Sequence, residues 1–453
     1  MKVCKFGGTS VASAEQIKKV ASIIQSDASR RIVVVSAPGK RHSDDVKVTD
    51  LLIDVAEAII AKQPVDDKLA AVLQRYEDNA AGLGLDQKIC EMIKEDLQQR
   101  CKDVATASVE KVFDLLKASG EDNNAKMIAA YFNSIGMAAR YVSPKDGLVV
   151  NDAPERTMAI SQAYDQLSAL KNAAEIIVFP GFFGFTTAGQ LRTFDRGGSD
   201  ITGAILAAAV GAELYENFTD VDCVFSANPK VVNSPAEIVE ITYREMRELS
   251  YAGFSVFHDE ALMPVVKQGI PVNIKNTNNP SAPGTHIMPK RDASKRAVTG
   301  ISADSGFSIL YVSKYLMNRE IGFGRKLLQI LEEEGISYEH TPSGLDDISV
   351  IIRSFQLDEA KENRILQRVT EELYADDVNF RHGFSMIVVV GEGMKYKTGL
   401  AASAATAIAR TGANIEMINQ GSSEVSLSFG VLQKYENEIL KELYEEFFSA
   451  VSV

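Results

Sequence analysis

Apolar positions in the first 300 residues follow two alternating patterns. Short runs rich in β-branched and aromatic residues at 2–6, 31–36, 175–179, 214–219 and 271–274 predict strands. Between them, apolar residues recur at three- and four-residue spacing over 14–24, 49–60, 124–134 and 201–210, which predicts helices. This alternation predicts a mostly parallel sheet between helical layers. Residues 62–116 carry helical periodicity with little strand character and read as a helical excursion from the sheet.

Turn formers fill 276–285 and mark a boundary that extends to about Lys295. Beyond it the chain repeats itself at an offset of 77 residues: Phe307, Gly322, Gly335, Glu339 and Gly344 match Phe384, Gly399, Gly412, Glu416 and Gly421. Each copy reads strand, helix, strand, strand, helix. The first runs 307–312, 324–334, 337–341, 348–352 and 359–374; the second runs 385–391, 398–410, 414–418, 425–431 and 435–447. The expected fold is α/β, with a large domain over 1–295 and two small βαββα, ferredoxin-like domains over 300–380 and 381–453. The strand near 300–306 fits either.

Composition narrows the classes of function. A chain of 453 residues with 45% hydrophobic content can bury two or three cores. A net charge of −13 argues against nucleic acid or an anionic membrane as partner, so an anionic ligand must be met by local donors. Cys4, Cys90, Cys101 and Cys223 form no C-x-x-C pair and read as reduced thiols of a cytoplasmic protein. The five histidines are scattered and form no zinc set. The N-terminus lacks the apolar stretch of a signal peptide, and the apolar run at 204–212 is well short of the roughly 20 residues a membrane helix needs.

Three stretches carry candidate chemistry. Lys5-Phe6-Gly7-Gly8-Thr9-Ser10 ends a strand and precedes a helix that begins near Ser13, with Gln16 placed to complete a capping box. Adjacent glycines let backbone N–H groups approach a phosphate, and Lys5 adds a full positive charge. The same residues also fit a plain strand-to-helix turn with one surface lysine. Arg196-Gly197-Gly198-Ser199-Asp200 opens the next candidate helix, and a guanidinium fork suits a carboxylate; alternatively Ser199 or Asp200 is a helix cap and Arg196 a surface charge. Thr219-Asp220-Val221-Asp222 with Phe225 and Asn228-Pro229-Lys230 reads either as a nucleotide-side loop or as an Asp-rich turn. On physical grounds alone, Glu121 is a first-turn acid and Thr49 a helix N-cap.

The Lys5–Ser10 opening together with Arg196–Asp200 resembles the paired signatures of the aspartokinases, within the wider amino-acid kinase fold. The resemblance spans nearly the whole chain, including Ser36-Ala37-Pro38-Gly39, Thr49-Asp50-Leu51-Leu52 and Ile270-Pro271-Val272. The two repeats resemble the paired ACT domains of that family, Gln420-Gly421-Ser422-Ser423-Glu424 in particular, and the likeness is to the monofunctional form. It implies ATP with Mg²⁺ and L-aspartate as substrates, lysine and/or threonine as effectors, and a homodimer or higher homo-oligomer formed through the ACT domains.

By the same resemblance Lys5, Gly7, Gly8 and Asp200 are catalytic, with Asp200 orienting Lys5 or aspartate. Thr49, Glu121, Arg196, Gly197, Gly198 and Ser199 hold aspartate, Arg196 by its α-carboxylate and Glu121 by its ammonium. Lys5, Gly8, Thr9, Ser10, Thr219, Asp220, Phe225, Lys230 and Lys275 surround the nucleotide. Met317, Glu320, Phe323, Gly324 and Glu339 contact the effector. No residue is assigned to the metal, which ATP phosphates can hold. Phe225 stands where many relatives have tyrosine, Asn228-Pro229-Lys230 where they have Asp-Pro-Arg, and a His-Pro pair is missing near Phe257-His258-Asp259. Two other readings stand beside this one: a kinase acting on glutamate or an acetylated relative, and a non-catalytic amino-acid sensor. The ACT-like pair and complete opening argue against the first; intact Lys5, Glu121, Arg196 and Asp200 argue against the second.

Overall fold

The computed structural model describes residues 1–104, 107–153, 156–195, 197–254, 257, 259–294, 296–421 and 425–449. The chain divides into two compact units. The first comprises Met1–Val224, Ile238–Met246 and Ser255–Arg291, and the second Phe225–Glu237, Arg247–Phe254 and Asp292–Val453.

The first unit is built on eight strands: β1 (Lys2–Phe6), β2 (Arg30–Val35), β3 (Ala139–Tyr141), β4 (Ile176–Pro180), β5 (Leu214–Thr219), β6 (Glu240–Thr242), β7 (Val272–Asn276) and β8 (Thr285–Met288). They lie in the order β6-β8-β7-β5-β1-β2-β4-β3. The six strands from β7 to β3 are parallel, while β8 runs antiparallel to β7. Val3, Cys4 and Phe6 are fully buried, as a central parallel strand covered on both faces requires.

Six helices frame the site: α1 (Ala14–Gln25), α2 (Val48–Ile60), α3 (Asp66–Leu83), α4 (Lys88–Asp103), α5 (Val109–Ser134) and α6 (Gly198–Val210). The helices α1 to α5 share one core with β1 and β2, including Phe6, Ile17, Leu52, Val72, Leu97 and Phe132. The excursion is α3, α4 and the start of α5. The sequence pattern predicts a helix at 124–134 with Glu121 in a first turn; instead α5 runs unbroken from Val109, and Glu121 sits in mid-helix. Gly120 misleads because glycine weakens a helix interior by roughly 1 kcal/mol. Its place is set by packing: a Cβ there would stand 2.9 Å from Ala37 Cβ and 3.2 Å from Leu52 Cδ1.

The second unit holds an antiparallel sheet of β9 (Gly300–Ser313), β10 (Asp347–Arg353), β11 (Asp377–Val390), β12 (Met417–Asn419) and β13 (Ser426–Leu432), in the order β10-β9-β11-β13-β12. The repeat is visible, with α7 (Phe323–Glu333) and α8 (Glu359–Leu373) in the first copy and α9 (Leu400–Arg410) and α10 (Glu436–Tyr444) in the second. The two copies interleave. Residues 300–305 pair with 385–390, and 307–313 with 377–384. Ile301 joins the core of Ile387, Ala404, Phe429 and Leu440, whereas Val378 and Phe380 pack on that of Leu310, Leu327 and Val369. Gly306 and Gly383, themselves 77 apart, both have left-handed φ and lie where the register between the two long strands shifts. The strand expected at 337–341 is reduced to an isolated bridge between His340 and Ile351, followed by another between Ser343 and Ile348; Pro342 between them has no N–H to donate, so no continuous ladder forms.

Candidate active site

The carboxyl ends of parallel strands β1, β5 and β7 meet at one edge of the sheet, the edge at which open α/β folds bind ligands. At the end of β1 the chain turns through Gly7 into a short 3₁₀ turn, Gly8–Val11, before α1, whose Ser13 cap accepts from the Gln16 N–H. Gly7 N–H is committed to the Phe218 carbonyl at 3.1 Å, and the Ser10 hydroxyl is buried against Thr277 at 2.7 Å. Thr9 is exposed beside them.

Lys5 is the one charged side chain of β1 that points into the protein, at 8% exposure. Its Nζ lies 2.6 Å from Asp200 Oδ1. Asn217, the register partner of Lys5 on β5, donates to the same oxygen at 2.7 Å, and the Tyr215 hydroxyl donates to the Asp200 carbonyl at 3.0 Å. Asp200 therefore lies inside the first turn of α6; Gly197, in left-handed backbone, is the cap, not Ser199 or Asp200. The Ser199 hydroxyl is instead 2.8 Å from that of Ser36.

Glu121 is 5% exposed, and its Oε2 has no hydrogen-bond partner. The Ala37 amide donates to the carboxylate, but burial dominates and raises its pKa to about 8. Thr49 is half-buried within the first turn of α2; the cap is Lys47, which makes no side-chain bond.

One cleft is lined by Lys5, Gly7, Gly8, Ser36, Thr49, Glu121, Phe182, Gly197, Gly198, Ser199 and Asp200. It brings together nine residues singled out in the sequence. Ser36, Phe182 and Asn217 were not given roles there. Asn217 had a signal, a polar residue inside an apolar strand run. Phe182 had none: its φ of +80° is a conformation costly for a bulky residue and one that clusters at functional sites.

The other nucleotide-side candidates are spread more widely. Thr219 and Asp220 end β5, where the Thr219 hydroxyl donates to Asp220 at 3.2 Å and its carbonyl accepts from Thr277 N–H. Lys275, on β7, is half-buried, donates to the Ala282 carbonyl at 2.9 Å and has its pKa lowered by burial. Phe225 and Lys230 fall in the second unit, so they are not among the residues of the unit that carries the cleft. Arg196 and Ser422–Glu424 lie outside the described residues. Met317 and Phe323 are core residues of the first repeat. Gly324 is half-buried in the first turn of α7, Glu320 is paired with Lys314 and Lys326, and Glu339 with Arg353 at 3.0 Å. Among the described residues no group of three or more His, Cys, Asp or Glu could hold a metal ion, and no helix is long and apolar enough to cross a membrane.

A cation–carboxylate pair beside a glycine turn, in one cleft with a buried carboxyl that has a free oxygen, suits transfer of a phosphoryl group to a small ligand that carries an ammonium. Residues 1–276 match the amino acid kinase family, and residues 387–447 match an ACT domain. Fold and cleft thus define an amino-acid kinase with an ACT module. Over 454 aligned residues the chain is 53% identical to Aspartokinase 3 of Bacillus subtilis, covering 100% of each. The crystal structure of Clostridium acetobutylicum aspartate kinase matches with a TM-score of 0.87 and 36% identity, over 99% of this chain and 100% of that one. Escherichia coli aspartokinase III, in complex with aspartate and ADP, shares the fold at a TM-score of 0.82 and 24% identity, over 99% and 100%. The chain belongs to the aspartokinases.

Proposed function

We propose that this aspartokinase transfers the γ-phosphoryl group of MgATP to the β-carboxylate of L-aspartate, giving 4-phospho-L-aspartate. The observation that carries the proposal is the buried Glu121 carboxylate, whose Oε2 has no hydrogen-bond partner, in one cleft with the Lys5–Asp200 pair. A β-carboxylate is already a nucleophile at neutral pH, so the reaction needs positioning and charge stabilisation rather than a strong base. Glu121 receives the aspartate ammonium, Thr49 and Ser199 its polar flanks, and Arg196 its α-carboxylate. Lys5 moves its charge onto the transferring phosphoryl group, with Asp200 and Asn217 fixing its direction. With the Gly7 N–H engaged, Gly8 and Thr9 supply the backbone donors to phosphate. Thr219, Asp220 and Lys275 serve the nucleotide; Mg²⁺ enters bound to ATP. ADP release with aspartate and with glutamate tests the reading: aspartate supports turnover and glutamate does not.

The regulatory part is the pair of domains at 300–380 and 381–453, which follows a catalytic domain at 1–295 in a protein sited in the cytoplasm. Tyr315, Ile321, Leu345 and Tyr374, all in the first repeat, are exposed, Ile321 at 97%. Such apolar exposure supports a homo-oligomer formed through the ACT domains. Lysine and/or threonine act there, with backbone at Met317, Phe323 and Gly324 and the carboxylates of Glu320 and Glu339 as contacts. Titration calorimetry on the full chain is expected to detect lysine or threonine binding, weakened reciprocally by aspartate with ATP through a coupling of about 1–3 kcal/mol. Failure of both amino acids to bind would remove this assignment.

A further inference from the structure

The helix α3 contributes nothing to the cleft lining, yet it buries one cation beneath a loop that does. Arg75 is 4% exposed. Its Nη2 donates to the Gly39 carbonyl at 2.7 Å, and its Nη1 donates to the Val46 carbonyl and lies 3.3 Å from Asp45 Oδ2. Asp45 is held in turn by the Arg41 amide and Nε, each at 2.9 Å. Burying a guanidinium is costly unless its donors are met, and here two carbonyls and a carboxylate meet the two Nη groups, while Nε has no partner.

The loop so tied, 36–47, reaches the cleft at several points. Ser36 faces Ser199, and Ala37 N–H donates to Glu121. The Pro38 carbonyl accepts from Val48 N–H at 3.0 Å, one residue before Thr49. Gly39 N–H donates to the Gly8 carbonyl at 2.9 Å, so close that a Cβ on Gly39 would stand 2.5 Å from the Gly8 carbonyl carbon. The Gly7–Ser10 turn has bonds of its own, Gly7 N–H to Phe218 and Ser10 N–H to Gly7. The backbone contacts to Glu121 and to the start of α2 depend on the loop.

We propose that Arg75 is a positioning residue for the acceptor half of the cleft: by holding the Gly39 and Val46 carbonyls it fixes the 36–47 loop, and through Ala37 and Pro38 the placement of Glu121 and Thr49. This rests on the reading that Glu121 and Thr49 bind aspartate. The test is Arg75→Ala and Arg75→Lys in the full chain, with substrate kinetics and hydrogen exchange. Arg75→Ala raises the aspartate KM about tenfold or more, as loss of a hydrogen bond to a charged group does, while the ATP KM changes by less than about threefold. Guanidinium ion at low millimolar concentration restores the aspartate KM, and methylammonium does not. If the alanine variant fails to fold, the lysine variant, which keeps the charge but has a single donor nitrogen in place of the guanidinium fork, shows the same split at smaller size. The Gly39 and Val48 amides exchange faster than in the wild type. An unchanged aspartate KM in a folded variant, an equal rise in both KM values without rescue, or unchanged exchange at those amides would overturn the proposal. A wild type without aspartate turnover would instead remove the cleft reading, and the exchange data alone would then judge Arg75.

Discussion

Lys5→Ala is expected to lower turnover by about 10²–10³-fold while the fold survives. The ammonium is fixed between two fully buried neighbours of β1, Cys4 and Phe6, and is held 2.6 Å from Asp200. It therefore costs no reorganisation when charge develops on the phosphoryl oxygens. Its removal has a second consequence. Asp200 then keeps only the Asn217 amide at Oδ1 and turns an uncompensated negative charge toward an anionic substrate. Lys5→Met, which keeps the volume, separates lost charge from lost packing and is expected to be equally slow. Circular dichroism and thermal melting establish the fold, and steady-state kinetics the turnover. Near wild-type turnover in a folded Lys5→Ala protein would contradict the assignment.

Glu121→Gln is expected to stabilise the protein at alkaline pH and to impair aspartate binding. The folded-state pKa, about 8, lies above the ordinary 4.5 because the carboxyl is buried in α5. The native state therefore holds a proton that the unfolded chain releases between about pH 4.5 and 8. Stability falls as pH rises through that window and levels off above it. The total loss is on the order of 3–5 kcal/mol, from about 1.4 kcal/mol per pKa unit. Glutamine removes this slope, so the variant gains its advantage at pH 8–9 and none near pH 4. Lys117 on the same helix favours the ionised form, and Lys5 and Asp200 line the same cleft. For function the sign reverses: the ammonium of aspartate favours ionised Glu121, so the wild-type aspartate KM falls as pH rises toward 8. Losing that charge-assisted bond raises KM about 10- to 10²-fold and flattens its pH dependence. Melting curves and aspartate KM across pH check both halves; a variant that is less stable at pH 8.5 and binds aspartate normally would refute the role.

The parts legible in the sequence were those with local causes. Apolar runs gave β1 and β5 to the residue, and the two glycine pairs marked the turns that face the cleft. The parts that were not legible depend on distant partners. Gly120 looks like a helix end because nothing nearby says that Ala37 and Leu52 will press against it. Ser199 and Asp200 look like caps, but Gly197 can adopt the left-handed backbone that frees both side chains for the site. Asn217 acquires its meaning only when β5 lies beside β1 and puts it opposite Lys5. The interleaving of the repeats is hidden for the same reason, since a strand at 300–305 fits either core until its partner at 385–390 is known.

The Lys5–Glu121–Asp200 cleft is proposed to phosphorylate the side-chain carboxylate of aspartate. The most direct test is the purified chain with MgATP and aspartate, glutamate or N-acetylglutamate, measuring ADP release while hydroxylamine traps any acyl phosphate. ADP release is expected to depend on aspartate, in step with aspartate β-hydroxamate, and neither product is expected with the other two acceptors. ADP release without hydroxamate, or turnover with glutamate or N-acetylglutamate in place of aspartate, would contradict it.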